Sequence, residues 1–509
     1  MGFTPFAYQS ADLVTLEKAG YRALLNMGTG SGKTALSLFA ARDAGATTTL
    51  IIAPEQTHES AWKATTPHIL GHEARVIGNG KKATKEAMFD FRMGYPGTYL
   101  VTPELFTRAD VEEWNGDLLI VDEAHKLGAP GKKGQIKLGG RGRNDEDPLA
   151  HRFEGALMLS GTPLRNRFEF AWSHSMALWP ELGGKWGISH ANFRQWQADR
   201  MDYTDVVTGV HWWEVDWDRY KRPPEGIWKK VIDGVPHFGQ PKMAKSYYGE
   251  KNPGRWINEA PCVITHLKRE ACCEFHPNGY MDLDEPMVRR ETIALAPAQK
   301  RAIKELEDHM MTWLDDNPLT VDIPLTKATR IRQFTLGVPT ATYDDEGTAD
   351  VFFAEDCVSP FYNRLEEFLL EEVPDENVVV FVDSQRFAEI VTKRLNRRGI
   401  PSFEFSGDTR SKRADMAAEF GSKYRVVVGV LAAIAEGFDG LQKVSQTEVW
   451  LSRSTDETIN EQAAGRLDRI GQKTQVYRLI LQDDLGLAEG KYTEAIEKRL
   501  QLNRSLRKG

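Results

Sequence analysis

The feature that most restricts what this chain can fold into is a seven-residue turn, Gly28-Thr29-Gly30-Ser31-Gly32-Lys33-Thr34. It follows an apolar run, Ala23 to Met27, and precedes a helix-like stretch, Thr34 to Arg42. Three glycines in five positions let the backbone curl so that successive N–H groups face inward. The amino terminus of the following helix adds partial positive charge to the same concavity. Strand, glycine turn and helix in that order form a cradle for phosphate within an α/β sheet. In such a cradle Gly28, Thr29, Gly30, Ser31 and Gly32 wrap the phosphates, Lys33 reaches the outer two, and Thr34 ligates Mg²⁺. The strict pattern has glycine where this chain has Met27.

The surrounding pattern agrees. Short apolar runs, Thr48 to Ala53, Tyr99 to Thr102, Leu118 to Val121 and Ala156 to Leu159, alternate with helical stretches. Continuous apolar runs suit strands covered on both faces, as in a parallel sheet. The rhythm returns near residue 360 with helix Phe361 to Glu372, strand Val378 to Val382, helix Arg386 to Arg398 and strand Ser402 to Phe405. Strands Arg425 to Val430, Thr447 to Leu451 and Gln475 to Leu481 complete it. A chain of 509 residues exceeds what one core supports, so two α/β lobes bracket a non-alternating middle. The expected divisions are a first lobe over 1–175, a Trp-rich, mixed accessory insertion over 176–290 and a helical linker over 291–354. A second lobe over 355–487 and a terminal helix over 488–509 follow.

A net charge of −8 excludes a protein that grips polyanions through bulk positive charge, so any nucleic-acid contact uses local patches. Four cysteines and no charged-then-apolar leader are expected of a cytoplasmic protein. The apolar runs fall far short of the roughly 20 residues needed to cross a bilayer, so no membrane partner is expected.

A second motif supplies carboxylates. Leu118-Leu119-Ile120-Val121 runs directly into Asp122-Glu123-Ala124-His125, which places two acids at the carboxyl edge of a buried strand, where open α/β sheets bind ligands. Asp122 can hold Mg²⁺ through water, and Glu123 can polarise the water that attacks a γ-phosphate.

These motifs resemble those of the superfamily-2 helicases and translocases. The resemblance implies two RecA-like doubly wound lobes closing on ATP and Mg²⁺. Pro5-Phe6-Ala7-Tyr8-Gln9 is similar to the adenine-reading segment, with Gln9 as the base contact. Ala53-Pro54 with Trp62, Val101-Thr102-Pro103-Glu104 and Ser160-Gly161-Thr162-Pro163-Leu164-Arg165-Asn166 are similar to motifs Ia, Ib and III. By the same resemblance His125, Ser160, Thr162 and Gln462 couple nucleotide state to lobe movement, and Asp439 is available to the ribose. Hydrolysis builds charge on the transferred group, and an arginine from the other lobe neutralises it. The run Gln462 to Gln472 resembles motif VI, with Arg469 as that finger and Arg466 as a second phosphate contact. Spaced three apart, the two arginines are expected on one helical face. The alternative is a helix with surface ion pairs to Asp468 and Glu461.

The ending Arg469-Ile470-Gly471-Gln472 and the tract Ile496 to Leu506 resemble Swi/Snf-like DNA translocases, the tract being similar to the helix that braces their lobes. The run Ala435-Glu436-Gly437-Phe438-Asp439 departs from that pattern, and the Trp-rich segment has no counterpart in it. The resemblance implies an ATP-dependent DNA helicase or translocase, monomeric, with replication, recombination or repair proteins as candidate partners. An RNA helicase and a nucleotide-gated clamp or motor subunit are the alternatives. Thr102 and Arg165 on one lobe, and Ser384, Ser406 and Gly407 on the other, are the expected sequence-tolerant nucleic-acid contacts.

Three features stand outside this frame. The glycine-rich segment Gly128 to Asn144 reads as an unpacked loop, either solvated or touching phosphates. Trp196, Trp212, Trp213, Trp217, Trp228 and Trp256 lie among lysines, a pattern that could stack bases, though an accessory domain filling its own core is favoured. Cys262, His266, Cys272, Cys273 and His276 have zinc-ligand residue types at an unfamiliar spacing, and buried thiols are the favoured reading.

Overall fold

The computed structural model describes residues 3–28, 30–78, 80–140, 147–165, 167–179, 193–214, 228–232, 235–271, 273–309, 311–314, 317–320, 324–343, 349–409, 413–437 and 440–506. Thr29 and Asp439 among the candidate residues, together with Trp217, Cys272 and 141–146, lie outside them.

The first lobe contributes strands β1 (Arg22–Met27), β2 (Thr48–Ile52), β3 (Ala74–Val76), β4 (Gly97–Val101), β5 (Gly116–Asp122) and β6 (Phe153–Ser160). The middle adds β7 (Met201–Glu214), β8 (Trp228–Ile232), β9 (Val235–Glu250) and β10 (Val263–His266). Beyond them lie β11 (Met287–Ile293), the hairpin β12 (Met311–Leu314) with β13 (Asn317–Thr320), and the hairpin β14 (Thr340–Tyr343) with β15 (Ala349–Phe352). The second lobe carries β16 (Val378–Val382), β17 (Ser402–Phe405), β18 (Val426–Val430), β19 (Thr447–Trp450) and β20 (Tyr477–Asp483).

Two parallel sheets form the body, as expected for two RecA-like lobes. One has the order β10-β1-β6-β5-β2-β4-β3, the other β11-β20-β19-β16-β18-β17. Central strands are buried along their length because helices cover both faces: all five residues of β2 and of β16 are buried. Each fully buried valine of β16 contributes about 1.5–3 kcal/mol relative to exposure. Because β6 lies between β1 and β5, the ends of these three strands bring Gly28, Ser160 and Asp122 side by side. Gly161 is packed so tightly there that a Cβ would sit 3.3 Å from Gly28 Cα.

The middle departs from expectation in several ways. Strand β10 of the accessory stretch is the edge of the first sheet, and β11 at its end is the edge of the second. Among the described strands of the accessory stretch, β7, β8 and β9 form a sheet of their own. Trp196 and Trp256 do not fill a separate core: both are fully buried in the first lobe's core, stacked on and edge-on to Phe168, and the Trp256 indole donates to Ser175. The expected helical linker holds helices Pro297–His309 and Pro324–Leu336 but also the two hairpins. The glycine-rich segment is also corrected, since Lys133–Gly139 is helical and packed. Gly128, Gly134 and Gly139 allow close approach: a Cβ on Gly139 would lie 3.0 Å from the Ala177 amide nitrogen.

The terminal helix Leu487–Arg504 spans both lobes. Leu502 and Leu506, just past its end, join the first lobe's core. Arg499 donates to Glu461 of the second lobe at 3.0 Å and to the Arg165 carbonyl of the first at 2.8 Å. Among the described residues no helix is long and apolar enough to cross a membrane.

Candidate active site

At the end of β1 the chain turns through Gly28 to Gly32, and the helix Lys33–Asp43 begins with Gly32 in the left-handed region at φ 79°. A side chain would be strained there, which explains glycine directly before the lysine. The Ser31 hydroxyl donates to the Gly28 carbonyl at 2.7 Å and tightens the turn. From the amino-terminal helix, Tyr8 donates to the Ser31 carbonyl at 2.9 Å and Gln9 to the Gly32 carbonyl at 3.2 Å. Gln9, expected as a base contact, therefore holds the loop backbone with its amide nitrogen, while its Oε1 accepts from the Phe6 amide. Tyr280 packs over Gly28, where a Cβ would lie 2.4 Å from its hydroxyl.

The two acids end β5. Asp122 is buried, accepting from the Trp62 indole at 3.3 Å and from the Glu123 amide at 3.0 Å. Burial pushes its carboxyl up to about 6, against the opposing pull of Lys33. In Glu123 burial also works upward, but Lys33, with Lys126 and Arg466, outweighs it and leaves the carboxyl below its ordinary value. Glu123 adopts φ 48°, a left-handed conformation that costs a non-glycine residue of order 1 kcal/mol or more. Its Oε2 lies 3.3 Å from His125 Nδ1 and makes no hydrogen bond among the described residues.

His125 Nδ1 also lies 3.0 Å from the Ser160 hydroxyl, which accepts from the Thr162 amide at 3.0 Å. The acid strand and the Ser160-Gly161-Thr162 turn are thus linked by one short chain of contacts. Burial drives His125 down to about 4, so the ring in that chain is neutral.

The second lobe meets this edge. The helix Glu457–Ala464 stops at Gly465, and Arg466 and Arg469 lie in the turn beyond it. That corrects the shared helical face. The turn is fixed because the Asp468 carboxylate accepts from Arg269 at 2.6 and 2.8 Å and lies 3.5 Å from Lys268. Arg466 donates to the Ala435 carbonyl and is close enough to depress Glu123. A Cβ on Gly30 would lie 3.9 Å from Arg469 Cβ and 3.7 Å from the Ile470 amide nitrogen. The phosphate-loop turn and the arginine turn are therefore in contact.

A cavity of about 640 Å³ runs along the seam, lined from the first lobe by Asn26, Glu123 and Thr162 and from the second by Arg453, Gln462 and Asp468. Of the expected nucleic-acid contacts, Arg165 is an interlobe bridge, 3.0 Å from Asp456, with φ 48°. Thr102 and Ser384 cap helices, accepting from Leu105 and Phe387. Ser406 is buried, and Gly407 beside it is exposed. Neither Tyr280 nor the Arg269–Asp468 pair was visible in the sequence.

Residues 4–139 match the family model described as Type III restriction enzyme, res subunit. DEAD-box ATP-dependent RNA helicase 30 of Arabidopsis thaliana is 24% identical over 247 residues, which are 46% of this chain and 38% of that relative. The chain thus spans well under half the length of that relative. A solved structure, the Sulfolobus solfataricus SWI2/SNF2 ATPase core in complex with dsDNA, covers 99% of this chain and 97% of its own at 15% identity and a TM-score of 0.39. The family and relative matches, with two all-parallel lobes, support a superfamily-2 helicase or translocase core.

Proposed function

We propose that this protein is an ATP-driven nucleic-acid motor that hydrolyses ATP at the seam between its lobes and moves on DNA. The observation that carries this reading is the contact of Gly30 in the phosphate loop with the Arg469-Ile470 turn, beside a Glu123 that already feels Arg466. Acids and lysine come from one lobe and guanidinium groups from the other, the division a trans-acting arginine requires.

In this reading the loop amides from Gly28 to Gly32 and the Lys33 ammonium hold the outer phosphates of ATP, with Thr29 completing the loop. Glu123 is the base: its carboxyl is held ionised and its Oε2 is free to accept a proton from water. Asp122 and Thr34 offer the oxygen donors that suit Mg²⁺, which when bound neutralises phosphate charge. Arg469 stabilises charge on the transferred group, and Arg466 adds a second contact. Asp439 contacts the ribose. His125, Ser160, Thr162 and Gln462 report nucleotide state to the seam, where Arg165–Asp456 and Arg499–Glu461 join the lobes. Opening and closing of those joints, driven by different affinities for ATP and ADP, advances the protein along a strand.

Thr102, Ser384 and Gly407 are the contacts to the phosphodiester backbone. Arg165 and Ser406 act behind them, since one is paired and the other buried. The named activity of the plant relative favours RNA as a second reading. ATPase rates with duplex DNA, forked DNA, single strands and RNA separate the two. Stimulation by DNA that falls steeply with salt supports the first, and stimulation by RNA alone replaces it with the second.

A further inference from the structure

Beyond the nucleotide seam, the structure brings His266, Cys273 and His276 together, with one ligand-type atom from each within 4.8 Å of the others. His266 ends β10, and the chain then doubles back. The Tyr280 and Met281 amides donate to the Leu267 and Lys268 carbonyls at 3.0 and 2.9 Å. Gly279 makes that return possible: at φ 90° its Cα approaches so closely that a Cβ would lie 2.2 Å from the Lys268 carbonyl oxygen. At the tip the His276 amide donates to the Cys273 carbonyl at 3.0 Å, folding the thiol back over His266.

We infer that this hairpin is a zinc site, with His266 Nδ1, the Cys273 thiolate and a ring nitrogen of His276 as ligands and the fourth position left to solvent. Two imidazoles and one thiolate suit Zn²⁺. His266 Nδ1 and Cys273 Sγ are 3.9 Å apart, close to the roughly 3.6 Å that Zn–N and Zn–S bonds span at a tetrahedral angle. The other nitrogen of His266 lies 2.8 Å from Asp12, the carboxylate partner that orients metal-bound histidine and strengthens its bond. Cys262 takes no part, because it is buried among apolar side chains of the first lobe.

The site is joined to the phosphate loop. The Tyr8 ring lies 5.1 Å from that of His266 and 4.8 Å from that of His276, and its hydroxyl holds Ser31. Zinc therefore clips the amino-terminal helix, the edge of the first sheet and the hairpin carrying Tyr280 into one support for the loop.

The test is metal content of the purified full chain from zinc-supplemented medium, with Co²⁺ titration of the chelator-stripped protein. About one zinc per chain and a cobalt–thiolate charge-transfer band are expected. Cys273→Ser and His276→Ala should lose both signals, while Cys357→Ala in the second lobe's core keeps them. Asp12→Asn leaves the ligands in place and should weaken zinc binding about 10–100-fold. If the ligand variants do not fold, the Co²⁺ band of the parent chain and the Asp12→Asn affinity decide. Negligible zinc with no cobalt–thiolate band overturns the site, as does zinc content unchanged in a folded Cys273→Ser. Neither result depends on nucleotide hydrolysis.

Discussion

The two lobes are built on the same plan and load their strand ends differently. In the first, the proposed reactive groups sit on or directly after strands: Asp122 is the last residue of β5, and Lys33 opens the helix after β1. In the second, the arginines lie beyond the helix Glu457–Ala464 in a turn whose place depends on Arg269 and Lys268 gripping Asp468. A rigid anionic edge thus faces a cationic turn held by seam contacts. A buried carboxylate needs fixed partners, which strand ends supply, whereas a charge that must arrive with lobe closure belongs on a movable segment.

The largest expected effect tests the fixed side. Glu123→Gln should reduce ATP turnover by about 10²–10⁴ while leaving nucleotide affinity near that of the parent. Turnover equal to the parent in steady-state hydrolysis would remove the assigned base. On the movable side, Arg469→Ala should lower kcat by about 10³ and change ATP binding little. A loss confined to KM would show that the arginine binds ground-state phosphate instead.

Asp468→Asn sharpens the contrast, because it releases the turn without touching either reactive set. A drop of about tenfold in kcat/KM is expected, equivalent to about 1.4 kcal/mol. Unaltered kinetics would mean that the turn is held elsewhere.

The smallest effect concerns pH. Burial drives His125 and His174 down to about 4 from an ordinary value near 6.5. Between those values the unfolded chain binds protons that the folded chain refuses, so stability falls as pH drops from about 6.5 towards 4. Melting at pH 5 should come earlier than at pH 7, and His174→Gln should narrow the difference. Equal melting temperatures at both values would contradict the burial of neutral rings.

How much of this could be read beforehand follows from locality. The phosphate loop and Asp122–Glu123 were legible because each is a short run whose strand and helix context lies within a few residues. That the Arg466–Arg469 run approaches the glycine loop was legible, but its conformation was not, since Gly465 ends the helix and Asp468 is captured by residues some 200 positions away. The four-residue β10 carries too little periodicity to announce itself, and its parallel partner β1 is remote in sequence. Trp196 and Trp256 were legible as core residues, though not as residues of the first lobe's core, because burial does not say against what. Tyr280 left only Gly279 as a sign, the mark of a tight return without its destination.

The most direct measurement is a structure of the full chain with Mg²⁺, ADP and beryllium fluoride in place of the γ-phosphate. The Lys33 ammonium and the guanidinium of Arg469 or Arg466 should contact the fluoride group from opposite sides. A nucleotide seated against Lys33 with both guanidinium groups out of contact, in a closed arrangement of the lobes, would contradict hydrolysis at the seam.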